Sequence, residues 1–273
     1  MAAETRSIKT ITSSEKKKLR SLLTKKGRKK ESKFLAEGVR LLEEAVRHGW
    51  TPEIIYYSES ILSERGRKLV DKINGAGADV RKIAACDIEA VTGTQTSPGI
   101  IGVFNIPEYN AVELMPGSKM ILLMDGISDP GNAGTLLRSG AAFGFDMVFM
   151  VNDAVEPYNP KVVRSSAGAI FGIPVIEATT GDILRYKNDG EYLLMAADLA
   201  GSNLEKGLRC LKRNSKVILA VGSEADGLSK PVADMADIKV SVGHSNKVES
   251  LNAAVAGSII MMSIYNKGIE KKR

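Results

Sequence analysis

The chain has 273 residues, of which 44% are hydrophobic and 26% are charged, and this composition is ordinary for a globular protein with two domains. Its longest apolar stretch, residues 251–265, is interrupted by polar residues and is too short to span a bilayer, which excludes a membrane protein. The N-terminus has no apolar signal segment, so we expect a cytoplasmic protein. The two cysteines, Cys86 and Cys210, stand alone without the spacing of metal ligands, so we expect free thiols and no metal site.

The charge of +6 is unevenly distributed along the chain. Residues 1–33 hold 12 Lys and Arg against 3 acidic residues, whereas the remaining residues hold 26 basic and 29 acidic ones. A basic block of this kind neutralises phosphates and releases counterions, which indicates a nucleic-acid partner. A solvated tail that only aids solubility is the alternative. We therefore predict a basic N-terminal arm over residues 1–30.

A small α/β domain is predicted to follow the arm, over residues 31–105. Apolar residues at helical spacing and short β-branched or aromatic runs predict its elements. The predicted helices span residues 33–48 and 60–73, and the predicted strands span residues 53–57, 79–83 and 99–104. Pro107 and Pro116 lie in a stretch without a period, so residues 106–117 are predicted to be a linker.

A second alternating series predicts a larger α/β domain over residues 118–273. Its predicted strands span residues 120–124, 147–150, 192–196, 216–221 and 238–242, and its predicted helices span residues 132–143, 160–169, 181–187 and 251–266. Nearly continuous apolar strands, such as residues 120–124, are typical of a parallel sheet that is covered on both faces. The sequence therefore predicts a doubly wound domain, whose ligand site lies beyond the carboxyl ends of the strands.

Three loops follow strands at that predicted edge, and the first runs from Asp125 into a helix. Asn132 can cap this helix, and Gly134 lets the backbone approach a ligand closely. Arg138 places a positive charge in an otherwise apolar helix, which suits a phosphate or a carboxylate. An arginine that extends to solvent at the surface is the alternative.

The second loop follows the apolar strand that ends at Val221 and contains Gly222, Ser223, Glu224 and Gly227. Glu224 can accept hydrogen bonds from the backbone or a substrate, or it can be a solvated turn residue. The glycine spacing differs from the dinucleotide-binding fingerprint, which argues against a nicotinamide-dependent enzyme.

The third loop begins with Val242, Gly243 and His244 and leads into an apolar helix. Ser250 is a plausible cap of that helix. Asn252 in its first turn is unusual, because Asn favours caps over helix interiors. This choice is explained if its amide reaches a neighbouring loop or a substrate.

The order of the three loops is more specific than any one of them, and through it the chain resembles the SpoU/TrmH family of SPOUT-class RNA 2′-O-ribose methyltransferases. The likeness covers residues 118–266, and residues 164–174 look like the middle block of the family. Residues 33–104 are weakly similar to the family's L30e-like substrate-binding domain. The motif positions that match are Asn132, Gly134, Arg138, Gly222, Glu224, Gly227, Ser229 and residues 248–252.

The resemblance implies a catalytic domain with a deep C-terminal trefoil knot, an S-adenosyl-L-methionine cofactor bent inside that knot, and a homodimer with active sites near its interface. It implies that the second and third loops hold the cofactor mainly through backbone groups. The positions concerned are Val221, Gly222, Ser223, Gly227, Val242, Gly243, His244, Ser250 and Leu251.

The resemblance also implies methyl transfer to a ribose 2′-hydroxyl of RNA, with ribosomal RNA expected and transfer RNA as the alternative. Arg138 would stabilise the oxyanion that develops on the ribose. The side chains expected to shape the nucleotide pocket and orient Arg138 are Asn132, Glu224, Ser250 and Asn252.

The start of the third loop departs from the family pattern. Relatives usually have Ile-Pro-Met where this chain has Val242, Gly243 and His244. This difference leaves a second class of function open, a non-catalytic RNA-binding protein whose cofactor loop has decayed.

Overall fold

The computed structural model describes residues 9–94, 96–245 and 247–268. These residues form two compact units. The first unit comprises residues 9–107 together with the later segment Tyr158–Phe171, and the second comprises Glu108–Pro157 and residues 172–268. The N-terminal unit therefore includes a segment that lies in the predicted catalytic domain of the chain.

The first part of the chain alternates short strands and helices. Its elements are β1 (Lys9–Thr10), α1 (Ser13–Ser21), α2 (Lys25–Glu31), β2 (Lys33–Glu37), α3 (Val39–Arg47), β3 (Ile54–Tyr57), α4 (Glu64–Gly75), β4 (Asp79–Lys82), α5 (Ala85–Thr92) and β5 (Ile100–Asn105).

The remaining chain contains six further strands and seven further helices within the described residues. They are α6 (Ala111–Leu114), β6 (Met120–Asp125), α7 (Pro130–Ala142), β7 (Met147–Val151), α8 (Pro160–Ser165), β8 (Val175–Glu177), α9 (Thr180–Asp189), β9 (Leu193–Asn203), α10 (Leu204–Leu208), β10 (Val217–Gly222), α11 (Lys230–Asp234), β11 (Ile238–Ser241) and α12 (Ala253–Asn266). Of these, α8 belongs to the first unit.

The first unit is built on a mixed sheet with strand order β1-β4-β3-β5-β2. Strands β1, β4 and β3 are parallel, and β5 runs antiparallel to β3 and β2. The helix predicted over residues 33–48 is wrong in its first part, because Lys33–Glu37 is strand β2 and the helix begins only at Val39. Phe34, Leu35 and Ala36 are all buried, so this strand is covered on both faces and lacks the alternation that identifies a half-exposed one.

Residues 9–30 of the predicted basic arm belong to the first unit, and residues 1–8 of that arm lie outside the described residues. Leu19 and Leu22 are buried beneath the pair of helices α1 and α2. The two helices approach so closely that a methyl group on Gly27 would overlap the carbonyl of Ser21. An ion pair of 2.6 Å between Lys16 and Asp87 also ties α1 to α5.

The second unit is built on a parallel sheet with strand order β11-β9-β10-β6-β7-β8. Every residue of β6, β7 and β10 is buried, which confirms the α/β class with a parallel sheet. The sequence patterns missed β8, α10 and α11, whose three to five residues are too few to show a period. No helix within the described residues is long and apolar enough to cross a membrane.

Five aromatic side chains meet in the first unit, and two of them come from the segment Tyr158–Phe171. The ring of Phe171 lies 5.2 Å from that of Trp50 and 5.2 Å from that of Phe104. The ring of Tyr158 lies 4.7 Å from that of Phe34. The indole N–H of Trp50 donates to the carbonyl of Phe171 at 2.8 Å. The core of the N-terminal unit is therefore completed by residues from the second half of the sequence.

The variant Phe171→Ala should lower the free energy of unfolding of the first unit by about 3–5 kcal/mol, because it empties a site inside an aromatic core. Trp50 is the chain's one tryptophan, so denaturant unfolding followed by its fluorescence reports on this core. The matched control is Phe143→Ala, whose half-buried ring has a ring contact only with Tyr265 among the described residues. A loss for Phe171→Ala no larger than that of the control would contradict the role given to this segment.

Candidate active site

The site is organised at the carboxyl edge of the parallel sheet by the pairing of β6 with β10. Asp125, the last residue of β6, lies opposite Gly222, the last residue of β10. The loops that follow these two strands therefore leave the sheet side by side. The third loop follows β11, which belongs to the same sheet.

A buried carboxylate holds two of the loop connections in place. Asp125 is 1% exposed. One of its oxygens accepts from the backbone N–H of Ser229 at 2.6 Å, and the other accepts from the Asn152 amide at 2.6 Å. The same amide reaches the Ser229 hydroxyl at 3.0 Å. Neither Asp125 nor Asn152 was predicted as a site residue, although an acid that ends an apolar strand is a recognisable signal of a buried charge with hydrogen-bond partners.

The loop after β10 is a tight turn with a fixed shape. The backbone groups of Ser223 and Gly227 exchange two hydrogen bonds, of 3.0 and 3.1 Å. Gly227 adopts a φ of +69°, which favours glycine, and a methyl group on Gly222 would overlap the backbone of Gly227. The two glycines of this motif are therefore required by the turn itself.

Three polar side chains, one from each loop, form a closed hydrogen-bonded ring. The Asn132 amide donates to a Glu224 oxygen at 2.9 Å, and the Asn252 amide donates to the Asn132 carbonyl oxygen at 2.9 Å. Asn252 also donates to the same oxygen of Glu224. Hydrogen bonds to an ionised carboxylate are among the strong ones in proteins, so this ring fixes the three loops relative to one another. We call it the Asn–Glu–Asn ring.

Two helix caps differ from the sequence predictions, and the difference explains the ring. Helix α7 is capped by Asp129, whose carboxylate accepts from the N–H of Asn132 at 2.7 Å, and Asn132 is not the cap. Helix α12 is capped by Asn252, whose carbonyl oxygen accepts from the N–H of Val255 at 3.1 Å, and Ser250 is not the cap. Because Asn252 accepts with its oxygen, its amide nitrogen is free to donate across the loops.

A cavity of about 400 Å³ opens beside the ring, a volume typical of sites for small ligands. It is lined by Glu224 of the ring and by eight of the nine predicted cofactor positions, with Gly243 the exception. Those eight are Val221, Gly222, Ser223, Gly227, Val242, His244, Ser250 and Leu251. Ala197, Asp198 and Leu199 of β9 line it as well, and none of these three was predicted as a site residue.

The imidazole of His244 lies between two backbone carbonyl groups of the third loop. One ring nitrogen lies 3.1 Å from the carbonyl oxygen of Val242, and the other lies 3.3 Å from that of Glu249. The ring therefore bridges the two arms of the loop. No group of three or more His, Cys, Asp or Glu side chains within the described residues is placed to hold a metal ion.

Arg138 lies on α7 and its side chain is exposed. It makes no hydrogen bond or ion pair with any residue that the structure describes, and it does not line the cavity. Its guanidinium group is therefore available to an anionic ligand at the surface of the second unit.

Comparison with known proteins identifies two families along the chain. The SpoU rRNA methylase family model matches residues 119–262, and the model of the MRM3-like substrate-binding domain matches residues 14–102. The chain is 29% identical over 259 residues to the 23S rRNA (guanosine(2553)-2′-O)-methyltransferase RlmP of Bacillus subtilis. The matched region covers 93% of this chain and 98% of that protein. It is 28% identical over 262 residues to an uncharacterized tRNA/rRNA methyltransferase of Synechocystis, covering 94% of this chain and 93% of that one.

Among solved structures, the AdoMet-bound rRNA methyltransferase from Sinorhizobium meliloti superposes with a TM-score of 0.82 at 26% identity, and the match covers 95% of this chain and 97% of the other. The family model of the methylase spans more than half of the chain and includes all three loops of the site. The chain therefore belongs to the SpoU rRNA methylase family.

Proposed function

We propose that this protein transfers a methyl group from S-adenosylmethionine to a ribose 2′-hydroxyl of RNA, and that the RNA is ribosomal. The Asn–Glu–Asn ring carries the proposal, because Glu224 belongs both to this ring and to the wall of the cavity. The relative RlmP is named for 2′-O-methylation of 23S rRNA, which favours ribosomal RNA as the substrate. Transfer RNA is the alternative, since the Synechocystis relative is named for either RNA.

The cavity fits S-adenosylmethionine in its chemistry. Its walls combine apolar side chains such as Leu228 and Ile260 with the backbone of two tight loops, and Asp198, Glu224 and Asp226 add negative charge. A cofactor with an apolar purine face and a net positive charge suits such walls. Bound there, it would supply a methyl group on a positively charged sulfur, which is the electrophile of the reaction. The bridging contacts of His244 support an intact third loop despite its departure from the usual family sequence.

The residues of the chain would act by position and charge. A ribose hydroxyl is a weak acid, so its attack develops negative charge that the site must stabilise. Arg138 would supply this stabilisation, directly or through the neighbouring phosphate, because its guanidinium group stays protonated and therefore serves poorly as a base. Asn132, Glu224, Ser250 and Asn252 would shape the nucleotide pocket, with the ring keeping the loops in register.

RNA would be held first by the basic helices and the small domain. In α1 and α2 the exposed cations without an ion-pair partner among the described residues are Lys17, Arg20, Lys25, Lys26, Lys29 and Lys30. They are exposed, whereas Leu19 of α1 and Gly27 of α2 are buried. Such a surface attracts the phosphate backbone whatever the sequence.

The division into domains remains part of this proposal. Residues 31–105 would bind the RNA substrate, and residues 118–273 would form the catalytic domain with its trefoil knot. The family models for the two halves, at residues 14–102 and 119–262, support this division. We also expect the enzyme to act in the cytoplasm.

We further propose that the protein acts as a homodimer through α12. Val255, Met262 and Tyr265 are exposed apolar residues on one face of this helix, and the ring of Phe143 lies 6.1 Å from that of Tyr265. An exposed apolar face on an otherwise buried helix is typical of a protein interface.

The first test concerns Arg138. The variant Arg138→Ala should slow methyl transfer by about 100-fold or more, because it removes the positive charge that would stabilise the developing oxyanion. Its affinity for S-adenosylmethionine in calorimetry should stay near that of the wild type. Transfer would be measured on rRNA from cells that lack the protein, followed by mapping of ribose methylation. Arg185→Ala, which removes another exposed helical arginine of the second unit, is the matched control. Joint loss of cofactor binding and activity would instead assign Arg138 a structural role.

The second test concerns the basic helices. The double variant Lys26→Gln, Lys30→Gln should weaken RNA binding and reduce the slope of log K against log salt by about 1.5, since each phosphate contact contributes roughly 0.7–0.9. The matched control is Lys68→Gln, Lys72→Gln, which makes the same charge change at the same spacing on α4. Equal slopes for the two double variants would contradict a specific role of α1 and α2.

The third test concerns the homodimer. The variant Met262→Asp should shift the protein to monomers in sedimentation experiments, because a buried unpaired charge at an interface is costly. Leu184→Asp is the control, since Leu184 is exposed to nearly the same extent, 45% against 43%, on α9. A wild-type protein that sediments as a monomer would refute the proposed homodimer.

A further inference from the structure

An irregular stretch in β9 forms one wall of the cavity. Strand β9 pairs with β11 through Ala196 and Lys239, and the next pair along the ladder is Ser202 with Val240. The five residues 197–201 therefore stand opposite no residue of β11 and bulge out of the pairing. Bulges of this kind redirect side chains and occur often beside active sites. Here the bulge brings Ala197, Asp198 and Leu199 to the cavity.

At residue 201, where the bulge ends, the neighbouring backbone leaves room only for glycine. A methyl group on Gly201 would lie 2.6 Å from the backbone nitrogen of Val240. The hydroxyl of Ser241 also donates to the carbonyl oxygen of Gly201 at 3.1 Å, so the bulge is anchored where it rejoins the ladder. The position of Asp198 is consequently set by the sheet.

The carboxylate of Asp198 is oriented and only partly neutralised. One oxygen accepts from the backbone N–H of Ala200 at 2.9 Å. The other lies 3.7 Å from the ammonium group of Lys239, and the Asp198 side chain remains 30% exposed. At 3.7 Å this contact is a weak ion pair, which leaves the carboxylate with negative charge directed to its surroundings.

The charges around the cavity favour a cation. Within the described residues its lining contains three carboxylates, those of Asp198, Glu224 and Asp226, and no Lys or Arg. Glu224 is already the acceptor for the two amides of the Asn–Glu–Asn ring. Asp198 comes from the bulge in β9 and makes no hydrogen bond to the residues of that ring.

We propose that Asp198 is a specificity-determining residue that makes the cavity favour positively charged S-adenosylmethionine over its neutral product, S-adenosylhomocysteine. The inference rests on the proposed function, in which this cavity holds the cofactor. Methyl transfer removes the sulfonium charge, so the attraction to Asp198 falls when the reaction is complete. The carboxylate thus favours binding of the reactant and release of the product.

The experiment compares the affinities of both molecules by calorimetry. Asp198→Asn should weaken binding of S-adenosylmethionine on the order of tenfold, since the lost attraction acts at close range in a partly desolvated site, and should leave S-adenosylhomocysteine within about twofold. Lys239→Gln removes the cation beside Asp198 and should change the ratio of the two affinities in the opposite direction. Glu205→Gln, an exposed acid of α10 that does not line the cavity, is the control and should change neither affinity.

The outcomes distinguish a failure of the role proposed for Asp198 from a failure of the proposed methyltransferase function. Equal weakening of both molecules by Asp198→Asn, or no weakening of either, would overturn the role of Asp198 and leave the proposed methyltransferase intact. Failure of the wild-type chain to bind S-adenosylmethionine would overturn the proposed function itself. Asp198→Glu keeps the charge and should retain the preference, so a loss of preference in this variant would show that shape and not charge decides it.

Discussion

The site depends on one buried charge, the carboxylate of Asp125 at the end of β6. A carboxylate at 1% exposure is stable only when its oxygens are hydrogen-bonded, and here the N–H of Ser229 and the amide of Asn152 satisfy them. These two partners lie beyond the ends of β10 and β7, the strands on either side of β6. The need to satisfy this charge therefore fixes where both neighbouring connections leave the sheet, and the loop of Gly222 and Gly227 takes its position from there.

Beyond that charge, the site is held by the backbone of the cavity wall and by the side chains of the Asn–Glu–Asn ring. The wall formed by the loop after β10 is shaped chiefly by backbone, because Gly222 has no room for a side chain, Gly227 has a positive φ, and the turn closes on itself through two backbone hydrogen bonds. The Asn–Glu–Asn ring consists of side chains and locks one loop to the next. Val242 and His244 line the cavity but do not belong to the ring, so their departure from the usual family sequence leaves the three ring residues unchanged.

The sequence predicted the parts of this structure that leave a local signal. Apolar runs such as that of β6 predicted the parallel sheet, and the spacing of polar residues predicted the three loops. The unusual Asn252 correctly pointed to an amide that reaches a neighbouring loop. Strand β2 was mistaken for helix because burial on both faces hides the period of a strand. The bulge at residues 197–201 was not predicted. It depends on how the residues of β9 pair with those of β11, and the sequence of neither strand by itself determines that pairing.

The two units differ in the charge that they present to a ligand. The first unit carries lysines on α1 and α2 that have no ion-pair partner within the described part of the chain, and such lysines attract phosphate at long range and with little selectivity. The cavity of the second unit is lined by carboxylates and, among the described residues, by no lysine or arginine, so a phosphate group that entered it would be repelled. Arg138 lies in the second unit but outside that lining. Under the proposed function, the RNA would therefore bind at the cationic surfaces, and the acidic cavity would accept the positively charged cofactor.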